Sequence, residues 1–243
     1  MIMYKTFEKQ LKLFDDSNYV IETRDVSATK KTIKKHEDPF RLELLDGMTL
    51  TDYGMPIVEP YDGAWPTSII PFHEARADYN RHVTTTACPH FYIDDTYFTC
   101  VLKDRPKSTS ILAGFSVVIG LDFSIKIDMP EPVKMYHSYL NKMATRYFQL
   151  HDVKVIPNVV WADPRSYDYC FAGFPTNSVV AVNSMGIIGN PSSVFFWQKG
   201  YEEMLKRLHP THIIRYGDKI AGEDESISTY YPNNHLNRMR HGR

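Results

Sequence analysis

The sequence predicts an α/β fold: a mostly parallel sheet of about five strands with crossover helices, doubly wound or a partial barrel, preceded by an irregular N-terminal extension. Two observations carry this. From His90 onward, short β-rich runs alternate with segments of helical period, which is the pattern of βαβ units. The runs are also mostly apolar rather than alternating, as expected for strands covered on both faces.

The extension comes first, over residues 1–86. Tyr4, Phe7, Leu11 and Phe14 suit one helical face, and the turn residues Asp15, Asp16, Ser17 and Asn18 end it. The basic run Lys30, Lys31, Lys34 and Lys35 reads as solvated surface. Pro56, Pro60, Pro66 and Pro71 predict an extended connection over 52–71, anchored by Ile57, Trp65, Ile69 and Ile70 and wrapping the core.

The core domain follows over 87–220. Its expected strands are His90–Ile93, Ser116–Gly120, Val153–Trp161, Ser178–Val182 and His212–Tyr216. Pro157 implies an edge position, a bulge or an early strand end in the third of these. Asp128 is placed to cap a helix that Pro130 helps to start, with Tyr136, Leu140, Met143, Tyr147 and Leu150 on its buried face. A second helix spans about 193–208, with Trp197, Tyr201, Met204 and Leu208 on one face and Pro210 closing it. Residues 221–243 form a polar basic tail without a packing pattern, ending in Arg238, Arg240 and Arg243.

Composition narrows the function classes. Across 243 residues, 28 basic and 29 acidic side chains leave a net charge of −1, so no overall field draws the protein to phosphate backbones or anionic lipid. The three cysteines, Cys88, Cys100 and Cys170, form no CxxC pair, which argues for a reduced compartment. Charged residues stand at the N-terminus where a secretion signal needs an apolar run, and no membrane-spanning stretch follows. The expected location is cytoplasmic.

In parallel α/β folds, ligands gather at the carboxyl ends of the strands, where loops converge and helix N-termini point the same way. Those ends carry Asp94 and Asp95, Asp122 with Ser124, Trp161 with Asp163, Asn183 with Ser184, and Tyr216. Asp122, Asp94 and Asp163 are the candidate catalytic groups, because crowded carboxylates hold a hard cation or separate into a general acid and base. Asp94 and Asp122 are the candidate ligands of a divalent cation such as Mg²⁺, the one cofactor the pattern suggests. Asp95, Ser124, Trp161, Ser184 and Tyr216 are the candidate ligand contacts, with Trp161 placed to stack on a ring. Each of these residues also has an ordinary structural role open to it, as helix cap or core packing. His90 is in the same position, as a base, a metal ligand or a core histidine. The chain has no GxGxxG, P-loop, GxSxG or HExxH motif.

The segments His90-Phe91-Tyr92-Ile93-Asp94-Asp95, Gly120-Leu121-Asp122-Phe123-Ser124 with Asp128-Met129-Pro130, and Val155-Ile156-Pro157-Asn158-Val159-Val160-Trp161 stand in that order. Phe171-Ala172-Gly173-Phe174-Pro175, Ser184-Met185-Gly186, and Pro210 with Tyr216-Gly217 follow them. Together they resemble the domain of unknown function 4417 family, over roughly residues 88 to 217. Leu121 departs from an expected proline, and Asn183 from a small residue or serine.

The resemblance implies a phage or mobile-element origin and action inside a bacterial host cell, and brings no catalytic residues with it. The function expected is an acidic pocket that binds or processes a small phosphorylated or nucleotide-like molecule. The alternative is a non-catalytic protein that binds a host protein or DNA through the N-terminal extension and the basic tail.

Overall fold

A computed structural model describes residues 42–233, apart from the side chain of Glu43. These residues lie within one compact unit. The expected helix around Phe7, the basic run at Lys30–Lys35 and the arginines of the tail lie outside the described residues.

The strands are β1 (Ile69–Pro71), β2 (Cys88–His90), β3 (Val118–Ile119), β4 (Val155–Ile156), β5 (Val179–Asn183), β6 (His212–Tyr216) and β7 (Ser228–Tyr231). All pair in parallel, as β1-β2, β3-β4 and β5-β6-β7, and an isolated parallel bridge from Asn158 to Ala181 joins the end of β4 to β5. The class is therefore α/β with small parallel sheets, not the single five-stranded sheet expected. Each pairing joins strands adjacent in sequence, so the described ladders lack the reversal of strand order that a doubly wound sheet requires, and they do not close into a barrel.

Short ladders have a physical cause here. Pro157 carries no N–H and ends β4 at Ile156, while its carbonyl still accepts from Ala181. Two strands escaped the sequence reading. β1 lies within the proline-rich connection, and β7 within the tail that carried no packing pattern, because three- and four-residue strands show too little periodicity. The strand expected at His90–Ile93 is displaced as well: β2 ends at His90 rather than beginning there.

Both faces of the strands are covered. Ile119, Ile156, Ala181, Ile214 and Tyr216 point to one side and form a shared cluster with Cys88 and Tyr231. Their neighbours point the other way: Val118 and Val155 into a second cluster, Val180, Val182 and Ile213 into a third.

The helices covering the strands include α1 (Phe72–Asn80), α2 (Cys100–Lys103), α3 (Arg105–Leu112), α4 (Glu131–Gln149), α5 (Tyr167–Phe171) and α6 (Pro191–Leu208). Asn190 caps α6 through the N–H groups of Ser192 and Ser193, and Trp197, Tyr201, Met204 and Leu208 are buried as their spacing predicts. Gly200 lets the indole of Trp161 lie against α6, since a Cβ there would sit 2.0 Å from Trp161 Nε1.

Helix α4 departs from expectation. It begins at Glu131 after Pro130, with no side-chain cap, so Asp128 does not cap it. Tyr136 and Leu150, expected on its buried face, are exposed, whereas Lys134, Ser138, Asn141, Lys142 and Thr145 are buried. The first four have polar partners, Lys134 in Glu131 and Asp163, Asn141 in the Phe123 main chain, and Ser138 and Lys142 in each other and the Tyr169 carbonyl of α5, which removes the penalty that would otherwise exclude them from the interior.

Candidate functional site

The chain leaves β3 through Gly120, where a Cβ would meet Thr145 Oγ1 at 2.8 Å and the Asn158 amide nitrogen at 3.2 Å. The following loop is held by side chains from three directions. Asn158 Nδ2 donates to the Leu121 carbonyl at 2.9 Å. Asn141 of α4 takes both main-chain groups of Phe123, accepting its N–H at 2.7 Å and donating to its carbonyl at 3.1 Å. His137 Nδ1 lies 2.6 Å from the Ser124 carbonyl, which can only accept, so that nitrogen carries the hydrogen. Asp95 accepts from the Ser124 hydroxyl at 3.1 Å and from its N–H. With Leu121, Phe123 and Ile125 buried as anchors, the loop presents Asp122 in one orientation.

The Asp122 carboxylate accepts from Asn158 Nδ2 at 2.9 Å and from Asn183 Nδ2 at 3.2 Å. Neither amide is free to turn. Asn158 Oδ1 accepts from the Tyr92 hydroxyl at 3.0 Å, and Asn183 Oδ1 accepts the Met185 N–H at 3.0 Å. Burial pushes the Asp122 carboxyl up to about 7, and the charge of Asp95 adds to this, against the pull of the two amides. Protein atoms crowd the group, yet the residue keeps a partly accessible edge. The result is a fixed carboxyl able to gain or lose a proton near neutral pH, the property general acid–base chemistry needs.

Beside it stands an aromatic wall. Tyr92 stacks on Tyr216 with ring centroids 4.9 Å apart, and His90 packs on both, at 5.1 Å from Tyr92 and 4.7 Å from Tyr216. Asp122, Asn158, Asn183, Tyr216 and His90 all lie at or just past the carboxyl ends of parallel strands, the edge where a ligand is expected.

The other candidates fall elsewhere. Asp94 is exposed and caps the turn Asp95–Tyr97, accepting from the Thr96 N–H at 2.9 Å and its hydroxyl at 2.6 Å; those bonds hold its carboxyl below the usual range. Asp163 caps Pro164–Ser166 and is bound by Arg165 and, at 2.8 Å, by Lys134. The Arg165 bonds, joined by Lys134, hold its carboxyl far below the usual range. Trp161 is buried against Phe171 and Trp197, with no stacking face left open to a ring. Ser184 is buried and donates to the Asp218 carbonyl at 2.7 Å. The site therefore gathers Asp122, Asp95 and Ser124 and leaves Asp94 and Asp163 to hold loops.

Lys134 has no accessible surface and is clamped between Asp163 and Glu131, each at 2.8 Å. Asp163→Ala leaves a buried ammonium with half its partners, and is expected to cost about 3 kcal/mol, at the low end for a broken buried pair because Glu131 remains. Urea denaturation checks this; a loss within 0.5 kcal/mol of zero, the size of an ordinary surface substitution, would return Asp163 to the list of site candidates.

Tyr92 and Asn158 stand within the segments that carry the family resemblance but had no role assigned from sequence, and Asn141 lies outside those segments. Asn158 follows a strand-ending proline, and its amide resembles any turn residue until its partners are known. Among the described residues, no group of three or more His, Cys, Asp or Glu side chains comes together as a metal site.

A family model described as a domain of unknown function, DUF4417, matches residues 48–231, which takes in every strand of the fold. The chain belongs to the DUF4417 family. The match covers the whole candidate site and extends past the 88–217 span that the motifs suggested.

Two relatives of this DUF4417 protein are phage proteins. The Gene 1 protein of Mycobacterium phage D29 is 29% identical over 156 residues, or 63% of this chain and 58% of the relative. The Gene 1 protein of Mycobacterium phage L5 is 28% identical over 166 residues, 67% of this chain and 72% of the relative. The chain thus spans less than two thirds of the D29 protein it matches. No solved structure matches it significantly. Among the described residues no helix is long and apolar enough to cross a membrane.

Proposed function

We propose that this phage-associated protein binds a small nucleotide-like molecule at the carboxyl edge of β3, β4 and β5, with Asp122 as the group that anchors it and exchanges a proton with it. The observation carrying the reading is Asp122 itself, a half-buried residue whose carboxyl is oriented by two locked amides and raised toward neutrality by burial. Raised carboxyls of this kind cluster at functional sites, since burying one without a cation costs stability that structure alone does not repay. Asp95 and Ser124 complete the contact surface. A phosphate here meets two carboxylates, so it would come with a divalent cation taking Asp122 and Asp95, rather than Asp94, as its protein ligands.

The test is a thermal-shift series with nucleoside monophosphates and triphosphates, with and without Mg²⁺, on the wild type and Asp122→Asn. A nucleotide or its metal complex that raises the midpoint of the wild type and not of the variant supports the reading. No shift with any of them, or an equal shift in the variant, overturns it.

A further inference from the structure

A cavity of about 260 Å³ opens between β1 and β7, with Tyr216 of the Tyr92–Tyr216 pair in its lining. Ile69, Pro71 and His90 line one side, and Tyr216, Thr229 and Tyr231 the other. We infer that this cavity is a binding site for an uncharged, planar, hydrogen-bonding ring compound of about nucleoside size. The inference goes beyond the reading of Asp122, since it would stand if that residue were purely structural.

Three observations support it. Among the described residues the lining contains rings and hydroxyls, with Thr67 and Ser68 exposed, and no Lys, Arg, Asp or Glu, so it offers no counter-charge to an ion. His90, itself only 1% exposed, and Tyr216 both line it, their rings tilted 41° to each other with centroids 4.7 Å apart, so aromatic surface bounds the cavity and can pack against a planar ring. Among the described residues the flanking strands are the outermost of their ladders, β1 pairing only with β2 and β7 only with β6. Alternate main-chain N–H and C=O groups of both therefore face the gap, a set of fixed donors and acceptors like that which reads the edge of a base.

The volume lies just under the range of drug-sized pockets, which favours a nucleoside over a larger ligand. Tyr231 reaches across to donate to the Pro66 carbonyl, tying β7 to the segment before β1 and holding the width of the gap. Tyr92 links the lining to the Asp122 cluster, stacking on Tyr216 on one side and donating to Asn158 on the other.

The probes are adenosine and uridine, with AMP as the charged comparison, measured by titration calorimetry. At least one nucleoside is expected to bind the wild type, and AMP, titrated into Asp122→Asn so that the other site has lost its anchor, is expected to bind no more tightly than adenosine does there. Ser68→Trp places a bulky side chain in the lining from an exposed position and is expected to weaken nucleoside binding at least tenfold; Thr67→Trp, also exposed, repeats the test should the first variant misfold. Nucleoside titrations repeated in Asp122→Asn separate the cavity from the site proposed around that residue. Failure of both nucleosides to bind, wild-type affinity in both tryptophan variants, or markedly tighter and salt-dependent binding of AMP to Asp122→Asn overturns the inference. Loss of binding in Asp122→Asn with no effect of Ser68→Trp also overturns it, and moves the ligand to Asp122.

Discussion

Asp122→Asn is expected to remove a pH dependence of stability that the wild type carries. The native carboxyl is raised from 3.8 to about 7, so the folded protein holds a proton there that the unfolded chain has already released. The sign follows from that difference. Between those values the native state binds more protons, and stability falls as pH rises from the unfolded pKa through the folded one. Moving from about pH 5 to about pH 8 should cost the wild type roughly 2–3 kcal/mol through this group, at 1.36 kcal/mol per unit.

The asparagine variant has no proton to lose. Its amide oxygen can take the place of Oδ1, which accepts from both Asn158 and Asn183, but its NH₂ stands where Oδ2 also accepts from Asn183, so near pH 5 it should be less stable than the wild type by about 1 kcal/mol, the worth of one mismatched hydrogen bond. Near pH 8 the order should reverse. Urea denaturation of both proteins at the two pH values decides the matter, and parallel pH profiles would show that Asp122 keeps an ordinary carboxyl. The reversal is a stability–function conflict in miniature, of the kind binding sites tolerate.

Glu223→Ala is expected to cost about 3–5 kcal/mol, the loss found when one partner of a buried ion pair is removed. Arg215 on β6 is fully buried and Glu223 only 2% exposed in its side chain. Nε and Nη2 of the guanidinium both donate to Glu223 Oε1, at 2.9 and 2.7 Å, and the group lies over Trp197 at 4.7 Å from the ring centroid. Two carbonyls, those of Tyr216 and Asp218, accept its remaining bonds, so the arginine stitches the end of β6 to the loop that follows. Without Glu223 the charge stays buried and the Ile220 N–H loses its acceptor as well. Pairing Glu223→Leu with Arg215→Met should recover most of the loss, since an apolar pair of similar volume escapes the desolvation cost. A Glu223→Ala variant unfolding within 1 kcal/mol of the wild type would mean that solvent or another group already satisfies Arg215.

The sequence by itself determined the alternation of apolar runs and helical segments, hence the α/β class, the parallel pairing and the edge at which polar residues gather. It did so because strand burial on two faces and the face of α6 are written in residues a few positions apart. The choice among the aspartates was left to tertiary structure. Asp94 and Asp163 each cap the N–H two residues on, of Thr96 and Arg165, as a local rule predicts. Asp122 has the same local opportunity, yet the N–H of Ser124 is claimed by Asp95 from another segment. Its carboxyl is thereby left to Asn158 and Asn183, from two other strands. Which acid becomes a cap and which becomes a site is a competition for one backbone donor, and its outcome depends on groups brought together only when the chain folds.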